Sequence, residues 1–126
     1  MKVYIAVAGM VLFLLVMSVY TLQAFSDTAA QMSGGIDRLE SDVLNSDWTG
    51  AANKVEAIKE DWDKYKQWWA VFIDHQEIDN IDMALARAEK FIVTQERALA
   101  AGELAVLRLM LEHIPEKEQI NLKNVF

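Results

Sequence analysis

Residues 3–22, VYIAVAGMVLFLLVMSVYTL, contain no charged residue; Lys2 precedes them and Asp27 is the first charge that follows. A helix of about twenty residues spans about 30 Å, the thickness of a bilayer's hydrocarbon core. The apolar core of a cleaved signal is shorter and ends at a small-x-small site. The nearest such site, residues 22–24, has a leucine at its first small position, and a second candidate, residues 28–30, lies beyond Asp27. The sequence therefore predicts an uncleaved transmembrane anchor over residues 1–25.

The charges on either side of the span predict its orientation. Lys2 is the only basic residue before the span, and Arg38 is the first one after it. The positive-inside rule therefore favours a cytoplasmic N-terminus and an exported C-terminal part. The chain has no cysteine, which is compatible with a location outside the cytoplasm.

The remainder of the chain is acidic. The sequence has 12 basic and 19 acidic residues, and setting Lys2 aside leaves 11 basic against 19 acidic residues, a net charge of −8. This charge argues against nucleic acid and against anionic lipid headgroups as partners. It favours solubility and suits a basic partner surface.

Beyond the span, apolar residues recur with alternating spacings of three and four in four stretches. They are Phe25, Ala29, Met32, Ile36, Leu39 and Val43; Trp48, Ala51, Val55, Ile58, Trp62, Tyr65, Trp69 and Phe72; Ile78, Ile81, Leu85, Ala88 and Ile92; and Ala100, Leu104, Leu107, Leu111 and Ile114. This spacing gives each stretch one apolar helical face, and no strand-like alternation appears. We predict an all-α fold, in which the transmembrane helix continues into a small antiparallel helical hairpin array or bundle of about four helices.

Capping residues predict the limits of the second helix and the start of the third. Residues 45–47, Asn-Ser-Asp, are good N-cap residues before Trp48. We expect this second helix to run to about Phe72. Asp74 followed three residues later by Glu77 has the form of a capping box, so the third helix is predicted to start there.

The fourth helix is predicted from weaker signals. Thr94 is expected to cap a helix that starts near Glu96, with Gly102 as an alternative end of the third helix. Pro115 is expected to stop the fourth helix. The apolar residues of the tail, 116–126, are expected to dock on the bundle.

These boundaries divide the chain into three parts. Residues 1–25 form the anchor, residues 26–45 a helical stalk, and residues 46–126 a helical domain with its C-terminal tail. Gly34 and Gly35 lie in the middle of the stalk and each lower helix stability by about 1 kcal/mol relative to alanine. They are expected to bend or loosen it.

The densest polar cluster is Asp74, His75, Glu77 and Asp79. His75 and Asp79 are four residues apart, so on a helix they share a face within reach of one divalent cation. The simpler interpretation is a helix N-terminus, where acidic residues are common because they complement the helix dipole. We favour the second interpretation, because a closed metal site needs more than two ligands, and we predict no metal site.

Four tryptophans are many for a domain of this size. Trp48, Trp62 and Trp69 share the apolar face of the second helix, so we interpret them as core residues. Trp68 lies beside charged neighbours and is interpreted as a rim or contact residue. An aromatic ligand-binding groove is the alternative for this helix.

No catalytic pattern is present. The chain has no cysteine, no serine close in sequence to either histidine, and no glycine-rich phosphate loop. No pair of carboxylates stands out among the many acidic residues. We therefore predict no enzymatic activity, no catalytic residue and no cofactor.

Five short segments carry a family resemblance: residues 47–48, 51–52, Trp62, 73–78 and 124–126. Together with the N-terminal span, they resemble the bacterial family called domain of unknown function 4363. The resemblance implies a membrane-anchored helical protein of spore-forming Gram-positive bacteria and suggests a membrane protein as partner. It implies no activity, cofactor or catalytic residue.

The expected function is that of an interaction protein anchored in the bacterial cytoplasmic membrane by one span, binding another membrane or envelope protein. Trp68, His75, Glu77 and Asp79 are the candidate interaction residues. The alternative is a ligand- or divalent-ion-sensing module that uses the His75 cluster or the tryptophan-rich helix. An enzyme with an unrecognised site is the third hypothesis, and the oligomeric state stays open.

Overall fold

The computed structural model describes the backbone of residues 1–125 and the side chains of residues 1–114. Over this part the chain forms four α-helices and no strand. They are α1 (Lys2–Leu44), α2 (Trp48–Trp69), α3 (His75–Val93) and α4 (Arg97–Val125). The all-α fold with a long N-terminal apolar helix is therefore confirmed.

The four helices pack as an antiparallel bundle. Short connections between consecutive helices force each chain reversal. Lys54 of α2 pairs with Asp42 of α1, whereas Tyr65, farther along α2, donates from its hydroxyl to Gln31 Oε1 at 3.3 Å, farther back along α1. Because α1 and α3 each pack against both α2 and α4, the helices close around one core.

The core consists of the apolar faces expected from the spacing. Six residues of α1, from Phe25 to Val43, are buried, together with the corresponding faces of α3 and α4. The exceptions lie on α2 and just after it: Trp48 and Tyr65 are only partly buried and pack against the edge of the core, and Phe72 is 44 % exposed. The α2 helix ends at Trp69, whose carbonyl accepts hydrogen bonds from the amides of Phe72 and Ile73, both at 2.9 Å. This turn buries Ile73 and leaves Phe72 outside the core.

Two aspartates cap α2 and α3 as expected. Asp47 Oδ1 accepts from the Gly50 amide at 3.0 Å, and Asp74 Oδ1 accepts from the Gln76 amide at 3.2 Å. A Cβ atom on Gly50 would lie 2.5 Å from Asp47 Oδ2 and 2.7 Å from Asp42 Oδ2. Only glycine therefore fits beside this cap without displacing carboxylates.

Thr94 has a different role from the one expected. Its hydroxyl donates to the Lys90 carbonyl at 2.9 Å, so it ends α3 and does not cap α4. The next residue, Gln95, has a left-handed backbone conformation with a φ of 58°. The Glu96 amide donates to the Phe91 carbonyl at 2.8 Å, which completes a Schellman-type helix end. The break between the helices is thus where it was expected, and Gly102 lies inside α4.

The prediction that Pro115 stops the last helix is wrong, because α4 continues to Val125. Proline removes one backbone hydrogen bond, yet its fixed φ is helical. The following residues, 116–119, are Glu, Lys, Glu and Gln, all strong helix formers. The predicted docking of the tail depends on side chains outside the described residues.

The α1 helix has two environments along its length. Residues 26–44 form one wall of the bundle, and Gly34 and Gly35 lie within the unbroken helix. Its N-terminal portion projects from the bundle, and none of its most apolar 18-residue window is buried. By length and composition, α1 is the one described helix able to cross a membrane.

Three polar contacts join α2 to α3, and one of them is the ion pair of Lys66 with Asp82 at 3.6 Å. Trp62 Nε1 donates to Asp82 Oδ1 at 2.7 Å, so the buried indole keeps a hydrogen bond. Lys59 Nζ lies 2.8 Å from Glu89 Oε2, and this hydrogen bond raises the pKa of Lys59 although desolvation acts in the opposite direction. These contacts fix the register between the two helices.

Candidate functional site

A groove with a volume of about 340 Å³ lies between α3 and α4. We call it the α3–α4 groove. It is lined by Glu77, Asn80, Val106, Leu109, Met110, His113 and Ile114. Its α4 wall is mostly apolar, so the groove can hold an apolar side chain or the face of a helix.

The groove exists because α4 has two apolar faces. One face is the buried stripe from Ala100 to Ile114. The other includes Leu99, Val106 and Leu109, which are spaced by seven and three residues and are all about half exposed. Spacing of this kind is typical of a helix-packing surface. The second face therefore has the pattern of a contact surface, yet its residues are half exposed in the part of the chain that the structure describes.

Ion pairs join α4 to both of its neighbours in the bundle. Arg87 of α3 contacts Glu103 Oε1 through Nη2 at 2.7 Å. On the side that faces α1, Arg108 Nη1 lies 2.6 Å from Asp37 Oδ1 and 3.7 Å from Glu40 Oε2. The hydrogen bond with Asp37 is the main cause that raises the pKa of Arg108.

The structure separates the four predicted interaction residues. Glu77, in the first turn of α3, lines the α3–α4 groove. His75 and Asp79 are exposed near the start of α3 and do not line the groove, whereas Trp68 lies at the end of α2. The sequence-based candidates thus contribute one residue to the groove.

The residues around His75 do not form a larger ligand set. Within the described residues, no three His, Cys, Asp or Glu side chains lie close enough together to hold a metal ion. His75 and Asp79 therefore have no described third ligand. The ion-sensing hypothesis stays a prediction that binding measurements must test.

An aromatic cluster joins α1 to the end of α2. The Phe25 ring centroid lies 4.7 Å from that of Trp68, 5.2 Å from that of Trp69 and 5.4 Å from that of Phe72. Trp62 meets Trp69 edge-on at 5.6 Å. Trp62 and Trp69 are fully buried, whereas Trp68 stacks on Phe25 and is partly exposed. Trp68 is therefore a rim residue with a defined packing partner.

Sequence reasoning missed the α4 wall of the groove. Leu99, Gly102, Val106, Leu109 and His113 follow a second series of three- and four-residue spacings along the same helix. This series was the available signal. The neighbouring series of leucines already accounts for the apolar face of a core helix, so spacing alone does not mark the second series as a surface.

A family model described as "Domain of unknown function (DUF4363)" matches residues 19–125. The match covers the whole bundle and the end of the apolar span, and it confirms the resemblance found in the short sequence segments. No curated protein and no solved structure matches the chain.

Proposed function

Since the chain belongs to the DUF4363 family, a family of unknown function, we propose that it is a membrane-anchored interaction protein. It binds another membrane or envelope protein, and the α3–α4 groove receives that partner. The observation that carries the proposal is the second apolar face of α4, where Val106 and Leu109 are exposed beside a groove of about 340 Å³. The proposal includes no enzymatic step.

The exposed half of α1 supports the anchor. A core helix with this composition would be buried, whereas the apolar window of α1 is not. Twenty residues without charge require an apolar environment, and a bilayer provides one of the right thickness. We place the protein in a bacterial cytoplasmic membrane with one span. Lys2 lies on the cytoplasmic side and the bundle outside, in agreement with the positive-inside rule.

The shape and charge of the surface support an amphipathic helix as the partner. The exposed residues of α4 follow a helical spacing, so an amphipathic helix is the element that fits beside them. Because α4 runs antiparallel to α1, its axis follows that of the anchor, and a partner helix rising from the same membrane can lie along it. The net charge of −8 beyond the anchor favours basic residues beside the apolar face of that helix.

Site-specific photo-crosslinking in the native membrane tests this proposal. A photoreactive amino acid is placed at Leu109, which is 54 % exposed in the groove, or at Leu44, which is 52 % exposed at the end of α1. We expect a defined adduct with one membrane or envelope protein from position 109 and none from position 44. Adding Val106→Lys should abolish the adduct, because a charge in the apolar floor must be desolvated on binding.

The control variants separate loss of binding from loss of folding. Val106 is exposed, so Val106→Lys should leave the helical circular dichroism and the unfolding midpoint unchanged. Equal adducts from positions 109 and 44 would contradict the proposal. An adduct with the mass of two copies of this chain would replace it with self-association.

A further inference from the structure

The connection between α2 and α3 is unusually apolar for a surface loop. Residues 70–73 are Ala-Val-Phe-Ile, and of these only Ile73 is buried. Val71 is 75 % exposed, and Trp68, in the preceding turn, is 36 % exposed. Loops normally carry polar residues because they face water. The exposed apolar residues here therefore need a different environment.

This loop lies where α1 leaves the bundle. Phe25, the first core residue of α1, follows Leu22, the last residue of the apolar stretch 3–22, by three residues, a rise of about 4.5 Å. The Phe72 ring centroid lies 5.4 Å from that of Phe25. Phe72 also lines a cavity of about 370 Å³ together with Leu14, Met17 and Thr21 of α1. The loop thus extends alongside the last turns of the span.

The two nearest charged residues along the chain are already engaged. Lys66 lies 3.3 Å from Asp63 Oδ1 and 3.6 Å from Asp82 Oδ1. Asp74 caps α3. The exposed surface formed by Trp68, Val71 and Phe72, which we call the aromatic collar, contains no ionisable group.

We infer that the aromatic collar is a second membrane contact, seated in the interfacial layer of the bilayer beside the anchor. This inference rests on the proposed transmembrane role of α1. The interfacial layer is about 5–7 Å thick on each side of the hydrocarbon core, and aromatic side chains concentrate there. The rise from Leu22 to Phe25, with Trp68 and Phe72 packed on Phe25, puts the collar within that layer.

Zwitterionic lipid is the chemistry that fits this surface. The collar offers aromatic and aliphatic groups and no cation, and the bundle is acidic. Anionic headgroups would add repulsion and no attraction. A second contact beside the span also limits the tilt of the bundle, which keeps the α3–α4 groove at a constant angle to the membrane.

Single-cysteine spin labelling of the full chain in phosphatidylcholine vesicles tests the inference, since the chain has no cysteine of its own. The label is placed by Val71→Cys in the collar or by Val93→Cys at the opposite end of α3, positions that are 75 % and 68 % exposed. A third label, Val7→Cys, lies in the span. Accessibility to dissolved oxygen and to a water-soluble nickel chelate is then measured by power saturation.

We expect the label at position 71 to be about fivefold less accessible to the nickel chelate than the label at position 93, with higher oxygen accessibility, because bilayers exclude polar reagents. Adding Phe72→Ser to the Val71→Cys variant should reduce this difference. Adding the same substitution to the Val7→Cys variant should leave the label at position 7 in lipid. Equal chelate accessibility at positions 71 and 93, with position 7 in lipid, overturns the collar and leaves the anchor intact.

Two other results are equally decisive. Chelate access at position 7 overturns the anchor and the collar together. Spin–spin broadening at position 71 in vesicles containing few copies of the protein means that a second copy covers the collar, which overturns the lipid contact.

Discussion

Replacing Trp62 by alanine is expected to remove most of the stability of the bundle. Trp62 is 1 % exposed, meets Trp69 edge-on and donates its indole N–H to Asp82 at 2.7 Å. The substitution removes the ring from the core and leaves a cavity next to Trp69. Asp82 is partly exposed, so water can replace the lost donor.

The size of the effect follows from the buried area. A buried indole withdraws about 200 Å² from water, which corresponds to about 5 kcal/mol at about 25 cal/mol per Å². The alanine side chain retains part of this burial free energy, and replacing a buried tryptophan by alanine typically costs about 3–5 kcal/mol of stability. Small domains have a total free energy of unfolding of about 5–15 kcal/mol. Trp62→Ala should therefore lower the unfolding midpoint drastically.

Trp68→Ala is the matched comparison on the same helix. Trp68 is 36 % exposed and its main partner is Phe25, at 4.7 Å between ring centroids. An aromatic pair contributes about 0.5–1.5 kcal/mol beyond burial, so we expect a loss of about 1–2 kcal/mol. Urea unfolding of the full chain in mild detergent, followed by circular dichroism at 222 nm, measures both values. Equal losses for the two variants would refute the helical phase assigned to α2.

Four further substitutions test other parts of the structure. Gly50→Ala should destabilise the protein by about 1–2 kcal/mol, because the added Cβ displaces the aspartate that caps α2. Gly102→Ala should stabilise it by about 0.5–1 kcal/mol, because nothing lies within 4 Å of the added Cβ. Shifts of the same sign in the thermal unfolding midpoints of the two variants would contradict this. Lys59 has a pKa raised above 10.5 by its hydrogen bond to Glu89, so its contribution to stability is fully present below pH 10.5 and is lost as the pH rises through the folded-state pKa. Lys59→Met should weaken the alkaline decline in stability, and identical pH profiles would exclude the contribution. His75→Gln should change stability by at most about 1–2 kcal/mol, and Ca²⁺, Mg²⁺ or Zn²⁺ should not stabilise the wild type; micromolar stabilisation that the variant lacks would favour an ion site.

The helical faces were predictable because burial in a bundle repeats with the period of the helix. The α1 stripe from Phe25 to Val43 is buried as its spacing indicates. The caps at Asp47 and Asp74 were also predictable, because a short polar side chain before a helix accepts a hydrogen bond from an amide of its first turn.

The remaining helix ends depend on local backbone conformation and on tertiary packing, which the spacing of apolar residues does not show. Phe72 fits the periodicity of α2, yet α2 ends at Trp69, and the turn that follows buries Ile73 and exposes Phe72. The threonine side chain at position 94 can end α3 or cap α4. The left-handed conformation of Gln95 ends α3 at this point, so Thr94 takes the first role. Pro115 disfavours a helix without forbidding one.

The candidate groove was harder to predict than the core. An apolar residue on α4 can face the core or solvent, and only the positions of α1 and α3 decide which face is covered. Val106 and Leu109 follow a helical spacing as regular as that of the buried leucines. Their exposure is therefore a property of the bundle and cannot be read from α4 by itself.

Digestion of intact, wall-free cells with external trypsin, followed by mass spectrometry of the membrane fraction, tests the anchor and its orientation most directly. Lys2 and Arg38 are the only basic residues in the first 38 positions. With the N-terminus inside the cell, exhaustive digestion should leave a membrane-embedded peptide of residues 1–38. A protected fragment that starts at Val3 and retains the bundle would reverse the orientation. A soluble mature protein that lacks the first residues would contradict the anchor.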